Sequence, residues 1–430
     1  MNVYVYTLGC RVNQCESEAV AHAFIEKGHT VVKTYEEADL IFVNTCTVTA
    51  KAEQKARRMI RLFSNVAVTI VSGCYAIGNA ETLEKLGSRV AVLPLSRKAE
   101  LLRLPEVLEN STLESLLSDI RAFCSEKKDY STSVFDFSAA DFAYHSRSFL
   151  KIQDGCDNSC GYCRVHVARG PSRSLEVDEV VRRALEIEKH GYHEIVLTGV
   201  NLTMYDHNGK GLGGLLEKLL PALGQDMRIR LSSMEPDHVD DRLLDQIADF
   251  RMQSHFHIPV QSASDKVLKR VGRTYESSFL DYIVKRLREV KEDPFLGCDI
   301  ITGLPAEGDE EFEETKAFLE RNDFSAVHVF PFSPRPDTAL FNAKDKVPES
   351  VRDQRAAVLR SLSESSKTRY ATRQIGRSLE AIIEEKTRGR CFATTGNYLR
   401  VEVNGLNDSF RCGDLINVKM TGPNKAELER

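Results

Sequence analysis

The chain has 430 residues, too many for one ordinary domain core, and its 42% hydrophobic content is that of a globular protein. No apolar run approaches the ~18 residues that cross a bilayer, and the start of the sequence lacks the features of a secretion signal, so we expect no membrane partner and a cytoplasmic location. The net charge of −5 weighs against a protein that is basic throughout, although it does not exclude a local basic surface.

The first hundred residues alternate strand and helix patterns, which predicts a doubly wound parallel sheet. The predicted strands are 3–7, 39–45, 66–72 and 89–93, and the predicted helices are 13–27 and 47–63. In such a sheet the carboxyl ends of the strands share one edge. Cys10, Cys46 and Cys74 follow the first three predicted strands within a few residues, so we expect them to meet at that edge.

A second alternating pattern follows a segment rich in Ser, Asp and aromatic residues. Six candidate strands separated by helices predict a partial (β/α)6 barrel. These strands are 149–153, 194–198, 228–232, 256–260, 295–301 and 326–331. Cys156, Cys160 and Cys163 lie in the loop after the first of them, at the face where barrel enzymes build active sites.

After a helix predicted at 349–373, short strands and turn glycines predict a small antiparallel β-barrel. Residues 366–430 carry 12 Lys+Arg against 8 Asp+Glu, an excess of four positive charges, so this barrel is a candidate RNA platform. A second basic stretch runs from Lys51 to Arg61 and is either a solvated helix face or a phosphate-contacting one.

These patterns predict four segments along the chain. They are an α/β domain at 1–125, a linker at 126–147, the partial barrel at 148–365 and the small β-barrel at 366–430.

Six of the eleven cysteines come in two groups of three, and this number carries chemical meaning. A structural zinc site and an electron-transfer iron-sulfur cluster normally take four protein ligands. A 4Fe-4S cluster held by three thiolates leaves one iron free to bind something else, so two such groups predict two reactive clusters. For the loop from Cys156 to Cys163, a zinc site completed by a distant fourth ligand is the alternative.

The spacing of Cys156, Cys160 and Cys163 resembles the radical S-adenosylmethionine (SAM) superfamily, and a wider set of motifs resembles its methylthiotransferase family. The likeness covers essentially the whole chain, including a TRAM-like domain at the C-terminal end. Its motifs begin at Thr7, Asn44, Ser72, Lys151, Ala168, Leu197, Ser232, His257, Arg270 and Asp299. The segments after Cys10 and around Cys46 look most like the branch that modifies threonylcarbamoyladenosine in tRNA.

The resemblance implies an enzyme that adds a methylthio group to C2 of N6-threonylcarbamoyladenosine at position 37 of tRNA. The cluster at Cys156, Cys160 and Cys163 would cleave SAM to a 5′-deoxyadenosyl radical, and the cluster at Cys10, Cys46 and Cys74 would hold the transferred sulfur. The cofactors implied are two 4Fe-4S clusters and SAM. The partners implied are tRNA, a sulfur donor and a reducing electron donor such as flavodoxin or ferredoxin.

Several polar residues near the strand ends are candidate SAM contacts by the same resemblance. They are Tyr162, Asn201, Glu235, Gln261, Arg273 and Asp299. Each of the last five fits a structural role equally well on sequence alone.

The sequence departs from the family pattern at a few positions. Arg164 and His166 replace the apolar residues and proline that usually follow Cys163, Ala306 replaces a usual glycine, and Cys15 replaces a more usual aromatic. Three alternatives stay open: an isopentenyladenosine tRNA methylthiotransferase, the enzyme that methylthiolates an aspartate of a ribosomal protein, and a non-enzymatic iron-sulfur RNA-binding protein.

Overall fold

A computed structural model describes residues 1–126, 132–138, 145–387 and 389–429. The described residues form two compact units. The first contains the described part of Met1–Tyr144 with Asp154–Asp157 and Cys163–Pro171, and the second contains His145–Gln153, Asn158–Tyr162 and the chain from Ser172 onward. Much of the predicted linker at 126–147 lies outside the described residues.

The first unit is built on a five-stranded parallel sheet with the order β2-β1-β3-β4-β5. Its central strands β3 and β4 are buried along their whole length, as continuous apolar runs in a doubly wound sheet predict. The elements are β1 Asn2–Thr7, α1 Arg11–Glu26, β2 Thr30–Val31, β3 Leu40–Thr45, α2 Ala50–Ser64, β4 Val68–Gly73, α3 Ala80–Glu84, β5 Val90–Val92, α4 Leu104–Val107 and α5 Leu116–Ser125. The sequence missed the two-residue edge strand β2, which is too short to produce a pattern.

The second unit begins with six parallel strands in chain order, in the arrangement that the sequence predicted. They form two three-stranded sheets, β6-β9-β10 and β11-β12-β13, which backbone hydrogen bonds from Gln253 to Ile229 and from Met234 to His257 join into one open barrel wall. The strands are β6 Ser148–Lys151, β9 Glu194–Thr198, β10 Arg228–Leu231, β11 His255–Gln261, β12 Phe295–Thr302 and β13 Ala326–Pro331. Two short strands, β7 Gln153–Asp154 and β8 Arg173–Ser174, follow β6.

Helices lie between the barrel strands and after the last of them. They are α6 Val165–Arg169, α7 Val177–Lys189, α8 Gly211–Ala222, α9 Asp241–Ile247, α10 Asp265–Val271, α11 Ser277–Val290, α12 Asp309–Arg321 and α13 Glu349–Arg373. The residues of α6 belong to the first unit. Among the described residues, no helix has the length and apolar character needed to cross a lipid bilayer.

The C-terminal strands close into a small barrel with the order β14-β15-β16-β18-β17, which confirms the predicted fold. The pairing is antiparallel except between β16 and β18, which run parallel. The strands are β14 Ser378–Thr387, β15 Arg390–Thr395, β16 Arg400–Asn404, β17 Leu415–Gly422 and β18 Lys425–Leu428.

A buried ion pair at the amino end of the six-stranded wall reaches the small barrel. Arg230 is fully buried and donates to Glu194 at 2.7 Å and 3.0 Å, and to the carbonyl oxygens of Gly396 and Thr395 at 3.1 Å and 3.3 Å. Arg228 nearby forms a bidentate pair with Glu380 of β14. These contacts make the small barrel part of the second unit.

The loop after β12 contains a residue in an unfavourable backbone conformation. Glu307 donates its backbone N–H to Leu304, and Ala306, third in this four-residue turn, has a φ of 72°. A type II turn needs positive φ at that position and favours glycine there. This is the position where the sequence departs from the family glycine.

We expect Ala306→Gly to stabilise the protein. Removing the left-handed strain of about 1–2 kcal/mol outweighs the roughly 0.5–1 kcal/mol of extra backbone entropy in the unfolded chain, leaving a gain of about 0.5–1 kcal/mol. Thermal or denaturant unfolding would measure it. Ala222→Gly, at an exposed position in the last turn of α8, should change stability in the opposite direction; equal shifts for both variants would contradict the strain argument.

Candidate functional site

Three loops at the carboxyl edge of the first unit's sheet carry Cys10, Cys46 and Cys74. They follow the adjacent strands β1, β3 and β4. Gly9 and Gly73 come just before two of these cysteines, and both have a φ of 105°. A Cβ on Gly9 would lie 2.8 Å from the Cβ of Cys46, so only glycine lets this pair of loops approach so closely.

Asn13 holds two of the cysteine loops together. Its buried side-chain amide donates to the carbonyl of Leu8 at 2.7 Å and to the carbonyl of Thr45 at 3.1 Å. Leu8 lies two residues before Cys10, and Thr45 lies immediately before Cys46. The amide therefore fixes the separation of the backbone segments that present the two thiols.

Asn44 and Lys98 extend this buried polar layer. Asn44 donates to the carbonyl of Asn13 and to Ser17 Oγ, both at 2.9 Å, and accepts from Lys98 Nζ at 2.7 Å. Lys98 also donates to Glu16, and both side chains are only 2% exposed. Burial lowers the pKa of Lys98, while the Glu16 carboxylate opposes that shift.

Arg169 completes the layer from a distant part of the chain. Its guanidinium donates to Asn13 Oδ1 at 2.8 Å, to Glu16 at 3.0 Å and to both oxygens of Asp154 at 3.1 Å. The Arg169 and Asp154 side chains are each 3% exposed, and Glu16 is 2% exposed. Two buried cations thus balance two buried anions beneath the cysteine loops, a requirement for charges in a low-dielectric interior.

The three thiols of this edge suit an iron-sulfur cluster. Cys46 is buried, and burial together with the charges of Cys10 and Cys74 raises the pKa of Cys46 to about 12. Three thiolates at one place therefore need a cationic group between them. Thiolate sulfur is the donor that holds iron-sulfur clusters, so the donor set fits such a group.

The second group of cysteines is divided between the two units. Cys156 and Cys163 belong to the first, where the N–H of Cys156 donates to Gly170 at 3.0 Å and Cys163 Sγ accepts from the N–H of Val165 at 3.4 Å. Cys160 belongs to the second and is buried. The next residue, Gly161, is held by backbone hydrogen bonds to Val271 and Leu340.

Tyr162, Glu235 and Arg273 form one cluster in the second unit. Arg273 donates to Glu235 Oε2 at 2.5 Å and to the Tyr162 hydroxyl at 2.8 Å, and its side chain is 3% exposed. Burial raises the pKa of Glu235, and Arg273 partly offsets this rise.

Asn201, Gln261 and Asp299, the other candidate SAM contacts, form no hydrogen bond to Arg273 that the structure shows, and each has its own surroundings. Asn201 is buried after β9 and donates its backbone N–H to Gln153 at 2.9 Å. Gln261 ends β11 at a bulge with a φ of 66°, a left-handed conformation that costs a non-glycine residue about 1–2 kcal/mol. Asp299 lies between His257 and His328; burial alone would raise the pKa of Asp299, but the two imidazoles hold it well below its usual range.

The departure at Arg164 contacts the motif that contains Cys46. Arg164 donates to Thr47 Oγ1 at 3.0 Å and lies 3.5 Å from Glu53. Its charge is therefore paired inside the first unit. Cys15 is a buried residue of α1.

The roles of Asn13, Glu16, Asp154 and Lys98 were not identified from sequence. The motifs contained Asn13, Asp154 and Arg169, but nothing in a linear pattern distinguishes a buried charge from a solvated one. Glu16 lies one or two helical turns after Cys10 and Asp154 lies shortly before Cys156, and this closeness is the available signal; Lys98 leaves none.

Comparison with known proteins bears on the identity of this site. Residues 150–319 match the radical SAM superfamily, and residues 2–93 match a family described as uncharacterized protein family UPF0004. A Treponema pallidum protein named threonylcarbamoyladenosine tRNA methylthiotransferase MtaB is 35% identical over 94% of this chain and 98% of its own length. The chain belongs to the radical SAM tRNA methylthiotransferase family, on its threonylcarbamoyladenosine branch.

Two further likenesses agree with this family. A tRNA-2-methylthio-N(6)-dimethylallyladenosine synthase from Endomicrobium trichonymphae is 30% identical over 98% of this chain and 97% of its own length. The structure of radical SAM methyltransferase TsrM from Kitasatospora setae, with cobalamin and a 4Fe-4S cluster bound, has a TM-score of 0.55 at 12% identity and covers 79% of this chain and 77% of its own, which shows the fold alone. The predictions of a radical SAM enzyme, with SAM and 4Fe-4S clusters as cofactors, are confirmed.

We expect Arg169→Met to destabilise the first unit strongly. The change leaves Glu16 and Asp154 with only Lys98 as a cation, and breaking a buried ion pair this way costs about 3–5 kcal/mol. Iron retention after anaerobic reconstitution and the denaturant midpoint would report the loss. The matched variant Lys33→Met, at an exposed position, should leave both unchanged; equal behaviour of the two variants would contradict the structural role of Arg169.

Proposed function

We propose that this protein transfers a methylthio group to C2 of N6-threonylcarbamoyladenosine at position 37 of tRNA. The observation that carries the proposal is membership of the family together with two cysteine trios, one of them converging at a sheet edge over a charge-balanced polar layer. Five relatives named for threonylcarbamoyladenosine are 29–35% identical, against 30% for the dimethylallyladenosine relative, and the matches at 32–35% favour threonylcarbamoyladenosine as the substrate. Neither a ribosomal-protein substrate nor a non-enzymatic role is favoured by any observation.

We assign Cys10, Cys46 and Cys74 to one 4Fe-4S cluster and Cys156, Cys160 and Cys163 to the other. When bound, these clusters supply the one-electron and sulfur chemistry that acid-base side chains cannot perform at an adenine carbon. Asn13, Arg169 and the two glycines before Cys10 and Cys74 position the first set of thiols.

Tyr162, Glu235 and Arg273 are the residues that we propose face SAM, with Asn201 and Gln261 beside them at neighbouring strand ends. An arginine is the natural partner of a carboxylate such as that of the methionyl group. In this chain the Arg273 guanidinium already donates a hydrogen bond to Glu235. The carboxylate of SAM would therefore either share the guanidinium with Glu235 or displace Glu235 from it. Asp299 was grouped with these residues by sequence, but it contacts two histidines and is left out of this set.

The exposed face of α2 is the phosphate-contacting surface that we propose for tRNA. Lys51, Lys55, Arg58 and Arg61 are exposed and recur at the spacing of one helix face. Within the described residues, none of the four forms an ion pair, so each charge is available to phosphate. On the C-terminal segment, Arg373, Arg377 and Arg400 pair with carboxylates. Lys419 and Lys425 of the small barrel are exposed and form no ion pair with another described residue, so this barrel is a second candidate surface.

A sulfur donor, a reducing protein such as flavodoxin or ferredoxin, and a cytoplasmic location are part of the same proposal. The two donors follow from the reaction's need for sulfur and low-potential electrons, and the location follows from the tRNA substrate.

The decisive test of the proposed function is mass spectrometry of tRNA nucleosides. Anaerobically reconstituted protein, given SAM, reductant and tRNA with N6-threonylcarbamoyladenosine, should form the 2-methylthio nucleoside. With tRNA carrying isopentenyladenosine it should not. Product only on the second RNA would exclude the proposed substrate while leaving the family unaffected.

The two cysteine trios should differ in their effects. Replacing Cys156, Cys160 and Cys163 by Ala should lower iron from about eight to about four atoms per chain and abolish 5′-deoxyadenosine formation. Cys46→Ala should retain 5′-deoxyadenosine formation but give no methylthio product. Cys412→Ala, at an exposed cysteine outside both trios, is the control; normal product from Cys46→Ala would remove the sulfur-transfer role of its trio.

The α2 face predicts a salt-dependent RNA affinity. Each phosphate contact contributes about 0.7–0.9 to the slope of log affinity against log salt, so the double variant Lys55→Glu and Arg58→Glu should lower the slope by about 1.4–1.8. Binding should weaken ten-fold or more, about 1.4 kcal/mol. Lys189→Glu, an exposed change on α7, is the control; an unchanged slope in the double variant would exclude α2 as the contact surface.

A further inference from the structure

Two histidines and one aspartate come together inside the wall of the second unit. Asp299 on β12 lies directly opposite His328 on β13, and His257 lies on the other neighbouring strand, β11. Asp299 Oδ1 is 3.0 Å from His257 Nε2 and 3.3 Å from His328 Nδ1. Three neighbouring strands thus each contribute one nitrogen or oxygen donor to one place.

The strand between the histidines leaves space for this arrangement. Gly297 is the β12 residue paired with His257, and a Cβ at Gly297 would lie 2.9 Å from His257 Nδ1. Any side chain at position 297 would therefore push the imidazole ring away from Asp299. Gly297 does not have a positive φ, so its backbone conformation does not require glycine. Its role is steric, because the missing side chain leaves space for the imidazole ring of His257.

The donor separations match those around a metal ion. Two donors about 2.1 Å from one ion are about 3.0 Å apart at a right angle and about 3.4 Å apart at a tetrahedral angle. The observed 3.0 Å and 3.3 Å fall in this range, and all three donor atoms lie within 4.8 Å of one another. Two imidazoles with one carboxylate form the donor set that binds divalent iron and related ions with open positions.

A purely structural ion pair explains the arrangement less well. The His328 side chain is 58% exposed, and an exposed imidazole gains little from pairing with a carboxylate that already has a partner. The ring nevertheless converges on the same oxygen as His257.

We propose that His257, Asp299 and His328 bind one divalent first-row transition-metal ion. Three protein donors leave the remaining coordination positions to water or to oxygen atoms of a bound substrate. The proposal is independent of which tRNA nucleoside the enzyme modifies.

Manganese is the probe that separates this site from the cysteine trios. Mn²⁺ prefers nitrogen and oxygen donors over thiolates, and the oxidised 4Fe-4S clusters of the holoenzyme are diamagnetic, so its electron paramagnetic resonance can be followed directly. Titration of reconstituted protein should show saturable binding of one Mn²⁺ per chain. Asp299→Asn and His328→Ala should each weaken that binding at least ten-fold while retaining the full iron content.

His22→Gln is the matched control, because His22 lies 3.7 Å from the carboxylate of Glu26 on α1 and its loss removes an equivalent imidazole-carboxylate pair elsewhere. It should leave the Mn²⁺ affinity unchanged. His328 is exposed, so its variant tests the site even if Asp299→Asn fails to fold. Absence of saturable binding, or binding that His328→Ala does not weaken, would overturn the proposal.

Discussion

The buried pairing of Arg169 with Glu16 and Asp154 is the constraint on which the first unit depends. It joins the helix after Cys10 to residues on either side of the loop from Cys156 to Cys163, which are some 150 positions later in sequence. Because isolated charges are not tolerated in an interior, the segment around Arg169 is held against α1 by an interaction that is strong only when complete. Lys98, which pairs with Glu16, supplies the second positive charge, so the two carboxylates are balanced by two cations.

At the sheet edge that carries Cys10, Cys46 and Cys74, the backbone and the side chains make separate contributions to the site. Adjacent parallel strands bring the three loops to one place, and the glycines let them approach closely. The amide of Asn13 then sets the spacing of two loops through their carbonyl groups. Thiol side chains are short and flexible about one bond, so their separation is decided by these backbone restraints more than by the cysteines themselves.

Much of the fold could be predicted from sequence because its elements have strong patterns. The helix at 349–373 and the strands of the open barrel fall within a residue or two of the predicted bounds, since buried strands flanked by amphipathic helices leave clear periodicities. The position of Cys10, Cys46 and Cys74 at strand ends followed from the same logic. The pairing of Arg169 did not, because partners far apart in sequence leave no local pattern. Neither did the triad around Asp299, because its residues lie on three strands and only Asp299 had been named as a candidate site residue.

The reach of Arg230 into the small C-terminal barrel has a consequence for how such proteins can change. A small terminal domain can be taken for an exchangeable addition, yet this one supplies two carbonyl oxygens to a charge buried in the barrel wall. A replacement domain without acceptors at those points would leave the Arg230 guanidinium with the Glu194 carboxylate but without its two carbonyl acceptors. The open barrel and the small C-terminal barrel are therefore expected to vary together. Glu194 and Arg230 are the residues through which a substitution in one barrel alters the hydrogen bonds of the other.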